Sequence, residues 1–323
     1  MDYLVSNNFI ITLLRYICSI NQESIIMLEE SQRRPYYSLV KDRCIKQIDM
    51  HIWDGIDKNK FDAWLKNFQS DKEKFFAACI LDNLIYRSEI QTISLLYDLL
   101  SRDLDNLFRS NNFEINDSPL SLLRNKYKDP GFRIVAALTR KDGASKSGYF
   151  MCNLIVHQLD VCEKWTINPD KIDDEIQKGI KCFVLLDDIL CSGNHMKETI
   201  EDWGLCEKGN VNFTIAVCAA HQVGLNQLNE NFNEIKIAYT ELLTHEDSFF
   251  SSIDCTDFDF QTIDEVKDFY QSFMKSKNIK YENIFGYDGI SLLYAFKHNV
   301  PNNCLPIIHY ESDDFKSLIA KRK

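Results

Sequence analysis

Phe183-Val184-Leu185-Leu186-Asp187-Asp188-Ile189-Leu190-Cys191-Ser192-Gly193-Asn194-His195 is the stretch whose reading decides the fold. Four apolar residues read as a buried strand, two adjacent carboxylates stand at its end, and a small-residue turn leads into a helix beginning near His195. A helix N-terminus presents unpaired backbone N–H groups and a partial positive charge, so the Cys191–His195 turn can hold a phosphate. Gly193 lets the backbone come close and Ser192 adds a hydroxyl donor. Asp187 and Asp188 can accept hydrogen bonds from vicinal hydroxyls such as those of a ribose. Together these parts form a receptor for a ribose 5-phosphate. Paired Asp residues at a strand end also occur in phosphoacceptor sites, and elsewhere they only cap a helix.

The residues around this stretch repeat its pattern. Arg133–Leu138, Phe213–Cys218 and Ile235–Tyr239 are further short apolar strands, and an amphipathic helix is expected over about 149–162. Near-continuous apolar strands separated by helices predict an α/β fold with a mostly parallel sheet covered on both faces. Ligands of such sheets gather at the carboxyl ends of the strands. The loop after Leu138 therefore matters as much as the loop after Leu186. It reads Thr139-Arg140-Lys141-Asp142-Gly143-Ala144-Ser145-Lys146-Ser147-Gly148. Its basic residues Arg140, Lys141 and Lys146, with the hydroxyls of Thr139, Ser145 and Ser147, can cradle a pyrophosphate whose oxygens Mg²⁺ bridges. Such a loop can equally be a solvated turn.

The first part of the chain is different. Residues 1–115 contain one Gly (Gly55) and one Pro (Pro35), and apolar residues recur at helical spacing in Phe9–Ile17, Phe75–Leu84 and Ile90–Leu107. Ser70-Asp71-Lys72-Glu73 reads as a helix start, and Trp64 with Phe68, four apart, reads as core. The polar run Asn111–Ser118, closed by Pro119, marks a boundary. An all-helical domain over 1–115 is thus expected to precede an α/β domain over 116–323.

Composition limits the function. The 37 Lys and Arg residues against 48 Asp and Glu residues leave a net charge of −11, which disfavours a general nucleic-acid coat. No apolar run approaches the roughly 18–20 residues that cross a bilayer, and no signal peptide is evident, so a cytoplasmic protein is expected. The 11 cysteines are odd in number, scattered and without a CxxC pair, and several lie in apolar runs. They read as reduced core residues rather than disulfides or zinc ligands, and no metal-ligating cluster of protein residues is apparent.

The strand, the acid pair and the small-residue loop resemble the PRPP-binding motif of type I phosphoribosyltransferases. Two positions depart from it. Cys191 stands where Thr, Ala or Asp is usual, so the Asp proposed there as general base in purine-salvage members is missing. His195 replaces the closing Thr or Ser of the phosphate loop. The C-terminal stretch His298-Asn299-Val300-Pro301-Asn302-Asn303-Cys304-Leu305-Pro306 narrows the resemblance. With the DGAS-type loop and the Trp64/Phe68 pair, it is similar to the phosphoribosyltransferase-like conflict-effector family, PRTase-CE, of bacterial anti-phage loci, some of them retron systems. Ile307-Ile308-His309 stands where that family usually has a Trp soon after Leu-Pro.

The resemblance implies that Asp187 and Asp188 are the catalytic pair, holding the ribose hydroxyls. Cys191, Ser192, Gly193, Asn194 and His195 would bind the 5′-phosphate. Arg140, Lys141, Ser145 and Lys146 would bind pyrophosphate with Mg²⁺, while Asn299 and Asn302 would face the base. It also implies a defence-system partner, such as a reverse transcriptase. Three functions are compatible with this reading. The chain is an enzyme displacing a group at ribose C1, or a sensor that keeps the pocket without turnover, or a helical docking module that the α/β part supports.

Overall fold

The computed structural model describes residues 30–143, 146–254 and 260–321. The expected helical spacing at Phe9–Ile17 and the expected pyrophosphate ligand Ser145 lie outside them.

Five strands form one parallel sheet: β2 (Arg133–Ala136), β3 (Thr166–Ile167), β4 (Cys182–Leu190), β5 (Asn212–His221) and β6 (Lys236–Leu243), in the order β3-β2-β4-β5-β6. The apolar runs produce this sheet directly, since alternate residues of a strand face opposite sides. Val184 and Leu186 of β4 enter one hydrophobic cluster, and Phe183 and Leu185 enter the other. Both faces are therefore dry, as the near-continuous apolar strands require. The central strand runs further than its four apolar residues suggest: Asp187 and Asp188 lie within β4, where Asp187 pairs with Val217 of β5.

The connections from β2 run to β3 on one side, and the rest of the sheet builds outward from β4 on the other. Order reverses between β2 and β4, and at such a switch point the loops diverge and open a crevice at the carboxyl ends of the strands. The loop after β2 and the turn after β4 both end there. Gly148, in the first turn of the helix Ser147–Gln158, lets that helix start hard against β2. A Cβ at this position would lie 2.9 Å from the backbone N and O of Ala137.

Helices Glu30–Asp49, Lys58–Leu65 and Asp71–Asn83 precede the sheet. Ser70 caps the last of these with its hydroxyl on the Glu73 amide, and the Glu73 carboxylate returns to the Ser70 amide, a reciprocal capping box. The N-terminal part is not purely helical. Ile85–Arg87 (β1) pairs in parallel with Tyr294–Phe296 (β7), more than 200 residues later, to form a second, two-stranded sheet. The helices also pack on the chain's C-terminal end. Trp64 Nε1 donates to the Ile307 carbonyl at 2.9 Å, and the Phe68 ring stacks on Phe273 at 5.1 Å. One hydrophobic cluster consequently extends from Val40 to Ile319.

Candidate functional site

A cavity of about 500 Å³ occupies the crevice between β2 and β4. Its walls are the end of β4, the Cys191–Met196 turn, the start of the helix Ser147–Gln158 and the segment His298–Asn303. The two acids form its floor, with Asp187 4% and Asp188 2% exposed. Buried carboxylates must be hydrogen-bonded or they lose their charge, and the two achieve this differently.

Asp188 is anchored. Its Oδ1 accepts the Ile189 amide at 2.8 Å, and its Oδ2 lies 3.0 Å from His298 Nε2 and 3.1 Å from Asn299 Nδ2. Burial alone would raise the carboxyl, but these bonds outweigh it and hold Asp188 below the ordinary carboxylate range. Asp187 accepts the Ser147 hydroxyl at 2.6 Å and the Asp188 amide at 2.9 Å. Burial and the adjacent Asp188 charge push its carboxyl up, against the opposing pull of His195 and Ser147. The neighbours are driven apart, so Asp188 is the fixed charge and Asp187 is the group able to exchange a proton.

His195 lies between two acids. Its Nε2 is 2.9 Å from Asp142 Oδ2 and its Nδ1 is 3.7 Å from Asp187 Oδ2. The Asp187 and Asp142 carboxylates raise its pKa to about 9 against burial, so the ring is an imidazolium at neutral pH. Asp142 organises this side of the site. It also accepts the Thr139 amide at 2.8 Å and pairs with Lys146 at 3.1 Å. Burial opposes its ionisation, but His195, Thr139 and Lys146 hold it well below the usual range.

The turn after β4 is built to stay open. Gly193, at φ +90°, precedes the helix Asn194–Asp202 and supplies no side-chain cap. The first bond of that helix runs from the Lys197 amide to the Gly193 carbonyl. The amides of Asn194, His195 and Met196 are therefore left toward the cavity, as at any uncapped helix start. A Cβ on Gly193 would meet Gln227 Oε1 at 2.7 Å, so this position combines a left-handed backbone with a tight approach. Asn194 is held by Gln227, Tyr287 and Asp288, which tie the turn to the Tyr287–Gly289 loop. Cys191 is buried and its thiol is raised far above the usual value, first by burial and then by Cys304 and the two aspartates. It packs the floor, and a thiol raised in this way is a poor nucleophile.

Most of the residues expected from sequence come together here. Asp187, Asp188, Cys191, Ser192, Gly193, Asn194, His195, Lys146, Asn299 and Asn302 all line the cavity. Arg140 and Lys141 do not, which corrects the expectation of a basic cradle made by the whole loop. The Arg140 amide bonds the Asp202 carboxylate, and its guanidinium lies 4.5 Å from the centre of the Trp203 ring. These anchors stand at the far end of the Asn194–Asp202 helix, roughly 12 Å along its axis. Lys141 is exposed and lines no part of the cavity. Asn299 is turned to Asp188 and Asn302 accepts from Lys321 at 2.6 Å. Sequence reasoning counted Ser147 only among the hydroxyls of the pyrophosphate loop, whereas its hydroxyl bonds Asp187, and it gave no role to Asp142 or His298, although both lie within segments it singled out. Only the fold reveals their partners.

This arrangement has a counterpart among known families: the PRTase-CE family model matches residues 61–321. The chain belongs to the PRTase-CE family. No curated protein matches it at a significant level. The PRTase-CE match begins at Phe61, so it takes in Trp64, Phe68 and the helix Asp71–Asn83 as well as the sheet. A phosphoribosyltransferase-like domain therefore provides the frame in which the two aspartates and the open turn are to be read.

Proposed function

We propose that the cavity binds PRPP or a related ribose-5-phosphate nucleotide, and that the chain acts on ribose C1 as an effector in anti-phage defence. One observation carries the reading: two buried aspartates lie near the end of the central strand's pairing, close to an uncapped helix start, at the switch point of a parallel sheet. The 5′-phosphate takes the amides of Asn194–Met196 and the Ser192 hydroxyl, with the His195 imidazolium as counter-charge. Asp188, held ionised by His298 and Asn299, accepts from a ribose hydroxyl and stabilises positive charge developing at C1. Asp187 orients the second hydroxyl and can take up or release a proton.

Lys146 is placed for the diphosphate. Among the described residues no cluster of three or more ligating side chains could hold a metal ion on its own. Mg²⁺ is commonly held by one or two carboxylates together with substrate phosphates. Asp187 and Asp188 are the carboxylates that would share it with the ligand, where it would offset diphosphate charge. Displacement at C1 then relies on positioning and electrostatics.

A second reading, sensing without turnover, is favoured by the charge on His195, which leaves that imidazole unable to serve as a base at neutral pH. Calorimetric titration with PRPP and Mg²⁺ tests the pocket, and diphosphate release in the presence of candidate bases or nucleotides tests the chemistry. Binding without release selects the sensor. If PRPP binds the Asp187→Asn, Asp188→Asn double variant as tightly as the wild type, both readings fail. The defence role, with a reverse transcriptase or another system component as partner, is tested by phage challenge of cells carrying the same variant.

A further inference from the structure

A second cavity, of about 770 Å³, lies between the helix Lys58–Leu65 and the C-terminal segment of the chain. Its size is within the range of small-molecule sites, and its wall has three chemical features.

The first is charge. Lys60, Lys316 and Lys321 face one acid, Glu311. Glu311 is engaged by Lys316 at 3.7 Å and by the Ser317 amide at 2.6 Å. The Lys60 ammonium makes no hydrogen bond or ion pair with any described residue, and burial lowers its pKa despite the fields of Glu311 and Asp57. The wall carries more ammonium than it can neutralise.

The second is a pair of aromatic rings. Tyr281 and Tyr310 stand 6.4 Å apart at 84°, offering a stacking face and an edge. The third is an orphaned polar atom. His309 is 5% exposed, and its Nε2 is buried with no hydrogen-bond partner among the described residues. Burial, reinforced by the Lys321 charge, takes its pKa down to about 3, so the ring is neutral. A buried ring nitrogen without a partner is costly, and a native structure keeps one where something else completes it.

We infer that this cavity is a second binding site, for a nucleoside 5′-monophosphate. Its phosphate answers the lysines, its base lies against the tyrosines, and a small shift of the His309 ring brings its occluded Nε2 to the polar edge of the base. Such an edge carries both donors and acceptors, so either tautomer of the ring finds a match. A nucleotide here also reaches the first cavity, because Lys321 lines both and donates to Asn302 on the other wall. Recruiting Lys321 to a phosphate loosens Asn302, so each ligand changes the affinity of the other by the same factor. The site itself does not depend on what the first cavity binds.

Photolabelling of the full chain with 8-azido-AMP, mapped by mass spectrometry at residue level, tests the inference. Label is expected on Tyr281 or Tyr310, competed by AMP, undiminished in Asp187→Asn and reduced at least fivefold in the Lys60→Ala, Lys316→Ala double variant. Both lysines are at least partly solvent-exposed, and an unchanged melting temperature will establish that the double variant is folded. Label confined to Tyr287, His298 or other walls of the first cavity overturns the inference, as does the absence of any label that AMP competes. Neither result bears on PRPP binding, which is measured separately by calorimetry.

Discussion

His298 and Asp188 are 110 residues apart in the chain, yet His298 Nε2 lies 3.0 Å from Asp188 Oδ2 in the floor of the cavity. The imidazole is clamped in place, stacked on Phe150 at 4.3 Å and close to Phe296. This contact joins the C-terminal segment to the central strand and determines which of the two acids keeps its charge.

Removing that imidazole should therefore affect both fold and site. His298→Ala is expected to lower stability by about 1.5–3 kcal/mol, the range for a hydrogen bond to a charged group. PRPP affinity should fall with it. His298→Gln, which keeps a donor, should recover part of both losses in denaturant unfolding and calorimetry.

The His195 imidazolium makes stability and phosphate affinity depend on pH. Its folded pKa, about 9, lies above the ordinary 6.5, so the stabilisation is fully present below pH 6.5 and is lost as pH rises through 9. Unfolding midpoints measured from pH 6 to 10 should decline across that window in the wild type. The decline should flatten in His195→Gln; an equal slope in both would remove His195 as its source.

Gly193→Ala isolates the phosphate turn. The left-handed φ costs an Ala residue about 1–2 kcal/mol, and the added methyl presses on Gln227. The variant should fold, melt at a lower temperature and lose most of its affinity for ribose 5-phosphate.

The basic loop should divide according to its contacts. Lys146→Ala is expected to weaken PRPP binding roughly tenfold, as for a lost charge-assisted bond, while leaving ribose 5-phosphate binding unchanged. Arg140→Ala and Lys141→Ala should leave both affinities within about twofold, since neither residue lines the cavity. A large loss in Lys141→Ala would show that this loop closes onto the ligand.

A chain beginning at residue 116 should fail to unfold cooperatively. It would lack Trp64 and Phe68, which cover Ile307 and Phe273, and it would leave β7 without β1. Near-UV circular dichroism and a denaturant titration of that fragment would reveal a sharp transition if the helices were dispensable.

Local pattern alone settled much of this protein. Runs of apolar residues set the strands, Ser70 and Glu73 marked a helix start, and the acid pair with its glycine turn pointed to a wall of the first cavity, because each depends on neighbours within a few residues. The strand β1 escaped that reading: three residues between two helices carry no periodicity, and only β7 gives Ile85–Arg87 a partner. The end of β4 was misjudged for a related reason, since Asp187 and Asp188 look like loop residues until β5 is seen beside them.

Sequence by itself thus determined the class of sheet, the paired aspartates and the open turn that follows them. Tertiary structure alone decided the rest. It put His298 and Asn299 on Asp188, set Asp142 beside His195, drew Arg140 away to Asp202 and left His309 buried beside the lysines of a second cavity. These are contacts between segments tens to hundreds of residues apart. Burial and charge set their energies, and neither exists until the sheet order and the packing of the two ends of the chain bring the groups together.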